Sequence, residues 1–247
     1  MLAEQRAEAI LAALSERRAV SVTELCRITG ASEATIRRDL NTLARQGKLS
    51  KVHGGAVLPE GEFCGEEPDM DTKRLLYAEE KDRIARYAAG LVGEDDVVYL
   101  DAGSTVLRVA EYLRPTGGLF VTNSIECAGR LTARGHRTYV LGGTLKPGTV
   151  AIVGAEALEA LGRFNFTKAF LGVNGITVGQ GFTTPDPEEA AVKRLAAARA
   201  QSVWVLADAS KFGRVTAAAM LPLEEAGIVT DSMPEQRYAE YTEIKEV

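Results

Sequence analysis

The sequence predicts an α/β protein in two unequal parts: a small helical head closed by a hairpin, then a larger domain built on a mostly parallel sheet. Three observations carry this. Residues 3–43 hold three short amphipathic stripes punctuated by capping and breaking residues. Residues 59–73, PEGEFCGEEPDMDTK, are acidic, contain Pro59, Gly61, Gly65 and Pro68 and lack periodicity, which places a linker between a 1–58 domain and a 74–247 domain. Beyond it, apolar runs of buried-strand length alternate with amphipathic helices, the pattern of a sheet covered on both faces.

In the head, Ala3, Ala7, Ile10, Leu11 and Leu14 share one face of a first helix. A break follows at 16–19. Ser21-Val-Thr-Glu24 is a capping box, in which the Ser21 hydroxyl accepts from the Glu24 amide and the Glu24 carboxylate reaches back to the Ser21 amide. The helix it opens runs to Thr29 and stops at Gly30. Ser32 caps a third helix whose Ile36, Leu40 and Leu43 face the first two, and 48–57 reads as a hairpin or wing.

That order of elements suits a winged helix-turn-helix. With the third helix in a major groove, Ser32, Glu33, Thr35 and Arg37 reach phosphates or base edges, and Arg37 has the fork to read guanine. Arg38 and Lys51 suit the sugar-phosphate backbone. Lys48, Lys51 and His53, beside Gly54-Gly55, form a basic wing for the backbone or the minor groove. Charge distribution agrees with a DNA partner. The net charge is −5, but residues 1–58 hold nine Lys or Arg against six acids, a balance of +3 that leaves −8 for the remainder. Attraction to phosphate acts at the contacting face and is screened over roughly 10 Å.

Cys26, Cys64 and Cys127 show no metal-ligand spacing, no run approaches 18 apolar residues, and the first residues carry charges throughout. A soluble, unprocessed protein of a reducing cytoplasm is expected, without membrane association, cofactor or metal.

In the larger domain the expected helices are 74–90, 105–113, 124–134, 151–162 and 187–200. The expected strands are 97–100, 119–122, 138–141, 168–173, 202–207 and one near 228–230. Ligands of such sheets sit at the carboxyl ends of the strands. There the chain places Asp101, Gly103, Ser104 and Thr105; Thr122, Asn123 and Ser124; Gly142 and Gly143; Gly172, Asn174 and Gly175; and Asp208 with Ser210 and Lys211. Gly103-Ser104-Thr105, opening a helix, offers amides and hydroxyls to a phosphate. Lys211 suits a phosphate, and Asp101 or Asp208 suits sugar hydroxyls. Lys193 fits a solvated helix face as readily as a site.

Taken together, Val22-Thr-Glu-Leu25, Thr35-Ile-Arg-Arg-Asp-Leu40 and the Gly47–Ala56 run resemble the DeoR family of bacterial sugar-metabolism repressors, apart from Lys51 where the family usually has Arg. The resemblance continues through Asp101–Thr105, Val121–Ser124, Leu141–Gly143, Gly181–Thr183 and Ala207–Gly213. It implies a sensor domain related to ribose-5-phosphate isomerase, a phosphorylated sugar that releases the repressor from operator DNA, with fructose 1-phosphate as first candidate, and homo-oligomerisation. An activator remains open. An isomerase-like enzyme is the alternative from the same kinship. It needs carboxylates around Gly172-Val-Asn-Gly175, and that tetrad holds none, so no enzyme activity is expected.

Overall fold

The structure is a computed structural model that describes residues 2–17, 19–45, 48–52, 54–57, 61–65 and 67–247. The chain forms two compact units, Met1–Glu60 and Gly61–Val247. Among the described residues, no helix is long and apolar enough to cross a membrane.

The first unit consists of α1 (Ala3–Arg17), β1 (Ala19–Ser21), α2 (Val22–Thr29), α3 (Glu33–Arg45), β2 (Ser50–Val52) and β3 (Gly55–Val57). Ile10, Leu14, Leu25, Ile36, Leu40 and Leu43 meet in one core, as their spacing requires. Two ion pairs brace it: Arg6 grips Asp39 at 2.5 and 3.1 Å, joining α1 to α3, and Arg17 meets Glu24 at 2.7 Å. Half of the expected capping box forms. The Ser21 hydroxyl accepts from the Glu24 amide at 3.2 Å, but the Glu24 carboxylate is taken by Arg17. Gly30, at φ 69°, closes α2. The break before Ser21 contains an unforeseen strand, β1, which pairs antiparallel with β3 to give the order β1-β3-β2.

The second unit begins with β4 (Glu62–Phe63), α4 (Met70–Leu75), α5 (Ala78–Gly90), β5 (Val97–Leu100), α6 (Ser104–Tyr112), β6 (Leu119–Thr122), α7 (Ile125–Ala133) and β7 (Arg137–Val140). It continues with β8 (Thr144–Leu145), β9 (Ile152–Val153), α8 (Ala155–Leu161), β10 (Phe166–Gly172), β11 (Gly175–Thr177), β12 (Gly181–Thr184) and α9 (Pro187–Ala198). It closes with β13 (Ala200–Leu206), β14 (Arg214–Val215), β15 (Ala218–Leu221), β16 (Gly227–Thr230) and β17 (Ile244–Glu246). Among the described residues, seven strands form a sheet in the order β17-β16-β13-β10-β5-β6-β7, with every pairing parallel.

Period-two alternation splits the sheet's side chains between two cores. Tyr99, Val121, Ala169, Leu171 and Val205 pack with α8 and α9 on one face. Val98, Leu100, Phe120, Phe170 and Leu206 pack with α5, α6 and α7 on the other.

Several expected boundaries shift. The helix expected over 74–90 is two helices, α4 and α5, separated by Tyr77 in the left-handed region at φ 53°. The one expected over 151–162 starts at Ala155, because Ile152–Val153 pairs with β8 and Gly154 turns at φ 99°. The antiparallel sheet β11-β12-β15 was not anticipated.

The largest difference concerns the expected linker. Its described residues from Gly61 onward belong to the second unit: β4 pairs with β14, Asp69 caps α4 by accepting from the Thr72 amide at 2.8 Å, and Glu67 pairs with Lys73. Polar composition hid this, because the partners of these residues are polar as well. Pro59 and Glu66 lie outside the described residues.

Leu40 is 1% exposed at the meeting point of the three head helices. Leu40→Ala is expected to cost about 2–5 kcal/mol. Calorimetry should then resolve an early transition of the first unit while the second unit melts as before.

Candidate functional site

In the head, α3 turns Glu33, Arg37, Arg38 and Asn41 outward while Ile36, Leu40 and Leu43 hold its other edge. The Ser32 and Thr35 hydroxyls are 2.9 Å apart, and the Ser32 oxygen also lies 3.4 Å from the Thr35 amide. Arg37 donates to Glu33 at 2.5 and 3.0 Å in a pair that is more than half exposed on both sides. Such an i,i+4 pair contributes about 0.3–0.5 kcal/mol, so the guanidinium is readily released to another acceptor. The Arg38 side chain is exposed and makes no hydrogen bond or ion pair among the described residues, while its carbonyl accepts from the Thr42 hydroxyl at 3.1 Å. Lys51 donates to Asn41 at 2.5 Å, which fastens the wing to α3. Lys48 is exposed nearby in sequence, and His53 lies outside the described residues. This unit therefore carries one continuous polar and cationic edge on a rigid helix.

In the second unit a cleft of about 530 Å³, open mouth included, lies at the carboxyl ends of the central strands. Of the residues expected at a ligand site, it brings together Gly103, Ser104, Thr105, Gly172, Asn174 and Lys211. Gly103 opens α6 without any side-chain cap, whereas Ser124 and Asp186 cap α7 and α9. The first amides of α6 are therefore left without a side-chain cap among the described residues, at the positive end of the helix dipole beside the cleft.

Other expected residues serve the scaffold. Asp101 is buried against Lys193 and accepts from the Gly172 amide at 2.9 Å. The Asn123 side chain accepts from the Ala102 amide at 2.8 Å and donates to the Ile152 carbonyl at 3.3 Å. Thr122 accepts from the Ser124 amide at 3.1 Å, and Ser124 in turn caps α7. Gly142 and Gly143 are exposed and do not line the cleft; Gly143 turns at φ 135°, where a Cβ would come within 2.6 Å of the Val153 carbonyl. Gly175 is required by packing, since a Cβ there would sit 2.4 Å from the Arg214 carbonyl. Asp208 caps the turn Ala209–Lys211, accepting from the Ser210 amide at 3.1 Å. Its other carboxylate oxygen is buried without a partner among the described residues.

The cleft also holds Lys193, which the sequence left undecided, and residues it did not single out: Lys73, Lys81, Glu67, Thr149 and Glu189. A usable signal existed for three of them. Lys81 falls on the buried stripe with Ile84, Ala85 and Ala88, and Glu189 and Lys193 fall on that of α9. A charge on a core stripe is the mark of a built polar site. Lys193, which fitted a solvated face equally well, is 3% exposed. Glu67 and Lys73, from the supposed linker, gave no such signal.

Electrostatically the cleft favours anions. Lys81 donates to the Leu76 carbonyl at 2.7 Å and to that of Lys73; burial, only partly offset by Asp208 and reinforced by Lys211 and Arg108, pulls its pKa down to about 8. Burial likewise lowers the Lys211 pKa, against Asp208 and with Lys73 and Arg214. Glu189 is opposed by burial, yet Lys193, Thr149 and Lys146 together hold its pKa below the ordinary value. It accepts from Thr149 at 2.7 Å and Lys146 at 2.9 Å. Lys73 and Lys193 are paired with Glu67 and Asp101, so Lys81 and Lys211 are the lining cations left to hold a phosphate.

Because Lys81 loses its proton more readily folded than unfolded, the unfolded chain binds more protons between about pH 8 and the ordinary 10.5. Stability of the second unit should therefore rise with pH across that window, by up to about 3 kcal/mol from this residue. Melting Lys81→Met beside the parent chain at each pH should show that portion of the rise removed.

Residues 6–62 match the DeoR-like helix-turn-helix domain and residues 77–232 the DeoR C terminal sensor domain. A Bacillus subtilis protein described as an uncharacterized HTH-type transcriptional regulator, FruR, is 40% identical, covering 98% of this chain and 96% of its own length. The HTH-type transcriptional repressor GlcR of the same organism is 33% identical, covering 97% and 93%. The lactose phosphotransferase system repressor of Streptococcus mutans is 31% identical, covering 99% of each. Among solved structures, ribose 5-phosphate isomerase A from Methanocaldococcus jannaschii is 17% identical with a TM-score of 0.40, covering 55% of this chain and 54% of that one.

Proposed function

The chain belongs to the DeoR family of helix-turn-helix transcriptional regulators, and from that premise we propose that it represses a carbohydrate-utilisation operon and is released from its operator by a phosphorylated sugar. The protein is a DNA-binding regulator; the repressor sign, the effector and the assembly are the proposal. One observation carries the effector: the uncapped start of α6 opens into a cleft lined by Lys73, Lys81, Lys193 and Lys211. Amides and ammonium groups together match a phosphate dianion, and Asn174, Ser104 and Thr105 offer polar groups to a sugar. Two relatives whose descriptions name them repressors, one of a lactose phosphotransferase system, support the sign and the class of pathway.

In this reading paired heads of a homo-oligomer bind operator half-sites, and the sugar phosphate acts by binding the DNA-incompetent arrangement more tightly. Equal affinity for both arrangements would leave the operator occupied. We propose further that the cleft binds without turnover. Gly172–Gly175 supplies no carboxylate, and Glu67 and Glu189 are held by Lys73, Lys146 and Thr149. Purified protein is expected to leave a panel of sugar phosphates unconverted.

Selection of bound genomic fragments supplies the operator, and titrating it across the panel, fructose 1-phosphate first, tests the switch. Effector control is lost if no sugar phosphate changes operator affinity. On that duplex Arg37→Ala is expected to cost about 1–3 kcal/mol and relax one base position, whereas Arg38→Ala should weaken all sequences alike and reduce the salt slope by about 1.

A further inference from the structure

A second pocket of about 680 Å³, open mouth included, adjoins the cleft, sharing Lys73, Lys81, Asn174 and Lys211 with it and adding Arg214 and Thr216. In a chain of net charge −5, no Asp or Glu lines this pocket among the described residues. Around it, Glu67 pairs with Lys73, and Asp208 accepts from the Ser210 amide through one oxygen while its other oxygen has no partner among the described residues. The Lys211 and Arg214 side chains make no hydrogen bond or ion pair among the described residues, and each holds a partly buried position. Lys73, Lys211 and Arg214 repel one another here, Asp208 offsets part of that repulsion, and a bound anion relieves the rest.

Thr216 supplies an independent observation. It is 5% exposed, its amide donates to the Thr183 hydroxyl at 3.0 Å, and its own hydroxyl has no partner among the described residues. A buried hydroxyl left unpaired is uncommon and calls for an explanation. Lys211 and Arg214, whose side chains have no partner among the described residues, and Thr216 beside them line one space contiguous with the site at α6, the chemistry of a phosphate subsite.

We propose that this pocket is a second anion subsite and that the cleft takes sugar ligands phosphorylated at both ends, one phosphate at α6 and the other against Lys211, Arg214 and Thr216. The first phosphate rests on the effector reading above; the second stands on the pocket itself.

Cys64 lines the pocket and is partly buried, so its alkylation by iodoacetamide reports occupancy without reference to DNA. Peptide mass spectrometry on the full chain follows Cys64, with Cys26 of the head as internal reference. Fructose 1,6-bisphosphate is expected to bind about ten-fold tighter than fructose 1-phosphate, the value of one charge-assisted hydrogen bond, and to protect Cys64 where the monophosphate does not. Arg214→Gln and Thr216→Val should abolish that advantage and keep monophosphate affinity by calorimetry. Without ligand, Thr216→Val should melt at or above the parent temperature, since it removes an unpaired polar group, and this separates lost binding from lost fold.

Pyrophosphate, which needs no sugar recognition, is the arm that separates the two readings. Protection of Cys64 by pyrophosphate that disappears in Arg214→Gln upholds the subsite even where no sugar phosphate moves the operator. Equal protection by mono- and bisphosphate, a bisphosphate advantage that survives Arg214→Gln, or no protection by bisphosphate and pyrophosphate alike overturns it.

Discussion

Asp101 and Lys193 form an ion pair almost wholly removed from solvent, and the geometry of the cleft depends on it. Asp101 stands at the carboxyl end of β5; its amide donates to Phe170 at 3.1 Å and its carboxylate accepts from Gly172, so β5, β10 and α9 are joined at one point. Buried pairs contribute little net stability, but removing one partner costs about 3–5 kcal/mol because the other charge stays behind in the interior. The arrangement is therefore all or nothing. It keeps the backbones of Gly103 and Gly172 side by side and so determines where the first turn of α6 aims its amides. It also withdraws the Asp101 carboxylate and the Lys193 ammonium together from ligand chemistry.

The head follows a different rule. Its charges are held loosely at the surface, with Arg37 resting on an exposed Glu33, while Asp39 is used up in bracing α1. A reading helix has to exchange its partners on contact with a duplex, and exposed pairs allow that at small cost. The buried charges of the second unit do the opposite and resist rearrangement.

Much of this was legible in the chain. The helix stripes of the head, the Gly30 stop, the strands at 97–100 and 119–122, and the Gly103-Ser104-Thr105 turn follow from local periodicity and capping chemistry. What escaped was set by partners distant in sequence. Thr122, Asn123 and Ser124 sit at a strand end, as a ligand site would, yet their polar atoms satisfy backbone groups of neighbouring segments. Glu67 gains its role from Lys146 and Asn174, and β4 gains its strand from Arg214–Val215. No local pattern announces such pairings, so an acidic stretch rich in Pro and Gly read as a tether. Lys81 and Lys193, by contrast, carried a local signal that went unused, the conflict between a core-stripe position and a charge.

The sheet order has a consequence for how the protein is made. β10 is the inner strand between β5 and β13, but it is synthesised after β5, β6, β7 and the whole of α8. At roughly 5–20 residues per second, the ribosome exposes β5 with one side unpaired for several seconds before its neighbour emerges. During that interval a bare strand edge is available to any nascent neighbour on the same message. The order of translation thus makes this interval the hazardous moment in the molecule's life, ahead of anything that happens once the sheet has closed.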